Sequence, residues 1–242
     1  MTCVVVGASA GLGRCVAERL AQAGQPVIVA STDHRDVDAV AADLSLRYGV
    51  PTCALTIDLA RPSCDFTSLD TAIARLGPVD LVVFAAGDVS DNDSFPLESS
   101  LAERLVRVNF LSIALYIDHL RPKLKRGSTI VGVGSIAAFR GRHRNVIYSA
   151  SKRALASFFE SLSADLPNGD ARVHFYHVGY LDTNMSFGRA LPLAAASADG
   201  LAARIVRNRS RPSGVFFYPR YWFFIRPILR AAPRALWGRM QR

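Results

Sequence analysis

Short, unbroken apolar runs separated by segments of helical period dominate the pattern of this chain. The runs are Cys3 to Val6, Pro26 to Ser31, Thr52 to Asp58, Val79 to Gly87, Ser128 to Ser135, Ala171 to Gly179 and Gly214 to Pro219. Apolar runs of this length without alternation fit parallel strands buried on both faces. Helical period follows Gly13 and returns over Asp36 to Tyr48, Ser99 to Leu124 and Ile147 to Leu166. Strands alternating with helices predict an α/β fold. The expected form is a doubly wound, Rossmann-like parallel sheet with right-handed crossovers and its ligand at the carboxyl ends of the strands. No internal repeat or low-complexity tract interrupts the pattern.

Composition narrows the class. Half of the 242 residues are hydrophobic, which excludes a disordered chain and leaves enough apolar surface for one core. Cys3, Cys15, Cys53 and Cys64 are scattered without a CxxC, so neither a disulfide framework nor a metal site is expected. The first strand begins almost at Met1, which leaves no room for a signal peptide, and a cytoplasmic protein is expected. The net charge of +9 is local. Residues 1–200 carry a net −1, whereas residues 201–242 hold ten Arg and no acid. We therefore divide the chain into a domain over residues 1–219 and a basic, aromatic, amphipathic tail over residues 220–242.

Chemistry concentrates in Tyr148-Ser-Ala-Ser-Lys152. Residues four apart on a helix share a face, so the phenol and the ammonium lie about a turn from each other. An ammonium about 4 Å away stabilises a phenolate by roughly 4 kcal/mol at an effective dielectric of ~20. That shifts a phenol by up to ~3 units, into the working range of a general acid-base. Upstream, Gly7, Ser9, Gly11, Leu12 and Gly13 lie in a loop between the first strand and a helix, which reads as a dinucleotide-binding turn over helix N–H groups.

The spacing Gly-x-x-x-Gly-x-Gly, with Ser135, Tyr148 and Lys152 in order behind it, resembles the short-chain dehydrogenase/reductase family over roughly residues 2 to 183 and the strand near 214 to 219. The resemblance implies an NAD(P)-dependent enzyme that moves hydride between a carbinol and the nicotinamide. In it Tyr148 is the proton donor and Ser135 binds the same oxygen. Lys152 holds the nicotinamide ribose and Asn109 links Lys152 to solvent. It further implies cofactor contacts at Asp58 and Leu59, at Ala85, Ala86 and Gly87, and at Gly179, Leu181 and Thr183. Phe84 stands where the family has Asn, and Val178 where it has Pro. Ser31, Thr32 and Arg35, near the end of the second strand, favour NADP(H). Asp33 between them keeps NAD(H) open. A homo-oligomer and a small-molecule carbonyl substrate are expected, and no nucleic-acid partner.

Two stretches lie outside that pattern. Arg140, Arg142 and Arg144, with His143, fall between Ser135 and Tyr148 and read as an anion site for substrate or as a solvated loop. In the tail, Arg226, Arg230 and Arg234 repeat every four residues, while Trp222, Ile225, Leu229 and Leu236 fall on another face. Pro227 and Pro233 predict two or three short helices. The tail reads as lying on a membrane surface, with Trp222 and Trp237 as anchors, or as a stripe that closes the active site or an oligomer interface. It loosely resembles the decaprenylphosphoryl-2-keto-pentose reductases, which implies a lipid-linked phosphorylated keto-sugar at the inner face of the membrane. Three functions remain open: that reductase, a reductase of another hydrophobic ketone with the tail as lid, and a non-catalytic nucleotide-binding regulator.

Overall fold

A computed structural model describes residues 2–166, 169–183, 186, 188 and 193–233. The apolar runs form the strands β1 (Thr2–Val6), β2 (Val27–Ser31), β3 (Thr52–Thr56), β4 (Val79–Phe84), β5 (Leu124–Ser135) and β6 (Ala171–Val178). Two short strands, β7 (Leu181–Asp182) and β8 (Ala196–Ser197), pair with each other, and β9 (Gly214–Tyr218) closes the large sheet. Its seven strands run β3-β2-β1-β4-β5-β6-β9, and every pair is parallel. Strand order reverses between β1 and β4, where Val6 stands opposite Phe84, so the ligand crevice of a doubly wound sheet opens there.

Alternate residues of each strand feed opposite layers, which is why the runs are apolar at every position. Cys3 and Val5 of β1 pack under helices α1 (Gly11–Gln22), α2 (His34–Tyr48) and α7 (Ala198–Asn208). Val4 and Val6 pack under α3 (Thr67–Leu76), α5 (Ser112–Leu120) and α6 (Val146–Asp165). Phe84, at the position of the family's Asn, is fully buried in this second layer.

The helix expected over Ser99 to Leu124 is broken. It consists of α4 (Ser99–Val106), a π-turn over Arg107–Leu111, α5 and a 3₁₀ turn over Arg121–Lys123, and Leu124 already belongs to β5. The π-turn inserts a residue and turns the Asn109 amide inward, where its Nδ2 donates to the carbonyls of Leu105 (2.9 Å) and Asp88 (2.8 Å). The tail also differs from expectation. Among the described residues, α8 (Trp222–Ala231) runs through Pro227 without a break. The bond lost at Pro227 belongs to the carbonyl of Phe223, an exposed residue. Arg234, Leu236, Trp237, Arg239 and Arg242 lie outside the described residues.

Candidate active site

A cleft of about 660 Å³ runs along the carboxyl ends of the sheet, from the start of α1 to the start of α6. Its first wall is the glycine loop. A Cβ on Gly13 would stand 2.0 Å from the carbonyl oxygen of Gly7, so only glycine lets α1 begin this close to β1. The first turn of α1 has no side-chain cap and no acid, and its residues Gly11, Leu12 and Gly13 line the cleft. Their amides and the helix dipole fit a pyrophosphate. Ser9, Gly11, Leu12, Ser31, Thr32, Asp58, Leu59, Ala85, Ala86, Gly87, Gly179, Leu181 and Thr183 all line the cleft with Gly7 and Gly13. The Ser31 hydroxyl donates to Ser9 Oγ at 2.8 Å, which ties the end of β2 to the loop.

Arg35 is not in that lining. Asp33 caps α2 by accepting from the Arg35 backbone N–H at 2.9 Å, and the Arg35 guanidinium turns to the same carboxylate at 3.4 Å. The Arg35 side chain is 79 % exposed, so the pair is weak. No carboxylate at the end of β2 faces the cleft, so the place where an acid would repel a 2′-phosphate is held by Ser31 and Thr32.

At the other end, α6 and β5 converge. Ser135 ends β5, and Tyr148 and Lys152 stand one turn apart on α6, all three lining the cleft. Burial pushes the Tyr148 phenol above its ordinary value, against the lowering influence of the Ser135 hydroxyl and the charge of Arg142. Lys152 is buried, its Nζ 3.2 Å from the Val133 carbonyl and 6.0 Å from the centre of the Tyr148 ring. Desolvation pushes this ammonium down to about 8. Burial is the largest influence on both groups, and the charge of Arg142 opposes it at the phenol.

Asn109 lies behind the site, across Gly87 from Lys152. Both ends of its amide are engaged with backbone, since Oδ1 accepts from the Asp88 N–H at 3.0 Å while Nδ2 donates as described above. It lies outside the lining and braces the turn after β4, with Gly87 between it and Lys152.

Sequence reasoning missed Asp93. It is buried in the loop after β4, and its two carboxylate oxygens accept from the N–H groups of Ile147 and Tyr148 at 2.8 Å each. A carboxylate at a helix N-terminus satisfies orphan amides and complements the dipole. Here it fixes the turn that carries the phenol. Asn145, just before this helix, has a left-handed backbone with φ of 59°. The only trace in the sequence was an Asp far from α6 in a polar loop, and local spacing does not reveal such a long-range cap.

The three Arg of the intervening loop separate. Arg142 lines the cleft, and Arg144 is exposed outside it. Arg140 donates to the Leu229 carbonyl at 2.8 Å, in the last turn of α8. The loop is drawn toward the tail because Ile136, Phe139, Phe217 and Trp222 form one buried cluster, joined by Tyr180, Ile225 and Leu229. Trp222 enters it over Gly179, where a Cβ would stand 2.1 Å from the indole nitrogen. The Arg226 guanidinium lies 5.7 Å over Phe139 and 6.0 Å over Phe217. Trp222 and Arg226, expected on a membrane-facing surface, are thus turned onto the protein. Among the described residues no group of three His, Cys, Asp or Glu could hold a metal ion, and no helix is long and apolar enough to cross a membrane.

Comparison with known proteins gives a consistent picture. Residues 1–190 match the sequence profile described as short chain dehydrogenase. The 1-deoxy-11-beta-hydroxypentalenate dehydrogenase of Streptomyces exfoliatus is 32 % identical over 209 residues, covering 84 % of this chain and 75 % of that protein. A 3-oxoacyl-[acyl-carrier-protein] reductase of Aquifex aeolicus is 28 % identical over 185 residues, covering 76 % and 75 %. Among solved structures, a short chain dehydrogenase from Burkholderia cenocepacia in complex with NADP superposes with a TM-score of 0.80 at 25 % identity, covering 89 % of this chain and 94 % of that one. The fold of a Sphingobium yanoikuyae short-chain dehydrogenase, solved with NADPH, covers 98 % of this chain and 95 % of its own with a TM-score of 0.81 at 24 % identity.

Proposed function

The chain belongs to the short-chain dehydrogenase family and is an NAD(P)-dependent oxidoreductase, and from this premise we propose that it is an NADP(H)-dependent reductase of a lipid-borne ketone at an anionic membrane surface. When bound, the nicotinamide supplies hydride to the carbonyl carbon. Ser135 donates a hydrogen bond to the carbonyl oxygen, and Tyr148 releases its phenolic proton to that oxygen as charge develops on it. Lys152, one turn below, holds positive charge beside the ribose and the phenol. The glycine loop binds the pyrophosphate, and Ser31 and Thr32 meet the 2′-phosphate.

The NADP(H) preference is supported by the absence of a cleft-facing acid after β2 and by the NADP bound to the Burkholderia cenocepacia relative. We expect NADPH to bind more tightly than NADH by at least about tenfold, or ~1.4 kcal/mol, in calorimetric titrations. Equal affinities, or a preference for NADH, refute the assignment of Ser31 and Thr32.

The lipid-borne substrate rests on the outer face of α8. Tyr221, Phe223 (56 % exposed), Phe224 (71 %) and Ile228 (67 %) project from it beside Arg220 and Arg230. Large apolar side chains clustered with cations on one short helix suit the interface of an anionic bilayer. A lipid-linked phosphorylated keto-sugar is the finest form of this reading. A second reading, in which α8 only walls the site of another hydrophobic ketone, is favoured by the packing of Trp222 on Tyr180 and Phe139.

Vesicle flotation separates the two. Substituting Asp at Phe223, Phe224 and Ile228 leaves the inward Trp222, Ile225 and Leu229 in place, so folding should survive. The unaltered chain is expected to float with phosphatidylglycerol-containing vesicles, less at high salt, because attraction to headgroups is screened over ~10 Å at 0.1 M. The triple variant should stay at the bottom. If the unaltered chain does not float, the membrane surface is lost and α8 is a wall.

A further inference from the structure

The cations around the catalytic residues are nearly all committed to the fold. Arg140 caps α8, and Arg153 on α6 donates to the carbonyls of Ala138 (2.9 Å) and Phe139 (2.8 Å). Arg104, on the cleft rim, pairs with Asp88 at 3.2 Å. Arg142 differs. It lines the cleft beside Tyr148, close enough for its charge to act on the phenol. Its Nε is buried and meets no hydrogen-bond acceptor, and no carboxylate among the described residues pairs with it. A guanidinium cannot escape this cost by losing its proton, because it remains charged at any pH the protein meets. An acceptor brought by a ligand is what completes it.

We propose that Arg142 binds an anionic group of the substrate, a carboxylate or a phosphate, within a few bonds of the reacting carbonyl. The proposal rests on the ketone-reductase reading of this site and adds to it the class of ketone. The planar fork of the guanidinium matches two oxygens of either anion. Its place beside the Ser135–Tyr148 pair sets how far the anion lies from the carbonyl. Arg144, two residues away but exposed and outside the lining, has no such part.

The test uses matched probes that differ in charge: 4-oxopentanoate against its methyl ester, and dihydroxyacetone phosphate against dihydroxyacetone. Dissociation constants are measured by calorimetry on the full chain saturated with whichever of NADP⁺ and NAD⁺ binds. Turnover of the same probes is followed separately by oxidation of the reduced cofactor. At least one anion is expected to bind about tenfold or more tightly than its neutral partner. Arg142→Gln should bring that ratio near one, Arg142→Lys should keep part of it, and Arg144→Gln should keep all of it. A response to 4-oxopentanoate alone marks a keto acid, and a response to the phosphate alone marks a phosphorylated ketone.

If neither anion is preferred, or if Arg142→Gln and Arg142→Lys retain the full ratio, the proposal is overturned. Binding that depends on Arg142 without any cofactor oxidation leaves the anion site standing and removes the reductase reading. The two failures are therefore distinct.

Discussion

Tyr148→Phe is expected to lower kcat at least ~100-fold while NADPH binds within about twofold of the unaltered protein, since a positioned proton donor contributes ~10²–10⁴-fold. The substitution removes one oxygen and keeps the ring. The backbone N–H of Tyr148 still donates to Asp93, so the first turn of α6 keeps its place, and the glycine loop is at the far end of the cleft. The pH dependence follows from the direction of the shift. Burial holds the phenol above its ordinary value, so it stays protonated through neutral pH, the form that reduction needs. Reduction should therefore be flat near neutrality and fall only in alkaline solution, whereas alcohol oxidation should rise with pH. Retention of more than about a tenth of kcat by the Phe variant would falsify Tyr148 as the acid.

The layout of the fold was legible because each strand carries its own signal. A run apolar at every position can only be covered on both faces, and that alone separates a parallel sheet from a half-wet antiparallel one. The glycine loop was legible for a similar reason, since the contact between Gly13 and the Gly7 carbonyl tolerates no side chain. What escaped were relations between distant segments. Asp93 reaches α6 from a loop whose own pattern says only that it is polar. The Arg loop was read as one cluster, yet its three guanidinium groups serve a helix cap, the cleft and solvent.

The tail shows why. The four-residue spacing of Arg226 and Arg230 puts both on one side of a helix, but it cannot say what that side meets. Arg226 lies over Phe139 and Phe217 because β9 and the segment after Ser135 present those rings there. Trp222 is an interfacial residue by composition and a core residue by position, and Gly179 decides between the two by making room for the indole. Helical period thus fixed which residues share a face, and partners far along the chain fixed which face is wet.

Lys152→Met should abolish turnover and, at the same time, stabilise the cofactor-free protein. Lys152 is 3 % exposed, and among the described residues its Nζ hydrogen-bonds to the Val133 carbonyl at 3.2 Å. Desolvation takes its value from 10.5 to about 8. Below about 8 the lysine is protonated in both folded and unfolded chains, so the whole burden of the buried charge falls on the folded state. At ~1.4 kcal/mol per unit this burden is roughly 3 kcal/mol. Between about 8 and 10.5 the unfolded chain holds a proton that the folded one has released, so the stability of the unaltered protein rises with pH across that window. Methionine keeps the buried stem and removes the charge. It forfeits one hydrogen bond worth about 1 kcal/mol, so the net gain near pH 7 is about 1–2 kcal/mol. For a chain of this size that raises Tm by about 2–8 °C, with the gain shrinking as pH passes 8. Thermal unfolding of both proteins at pH 7 and pH 10 measures it. A variant that melts lower at pH 7, or a gain that does not shrink at pH 10, would mean that the ammonium is held by the fold rather than imposed on it for the reaction.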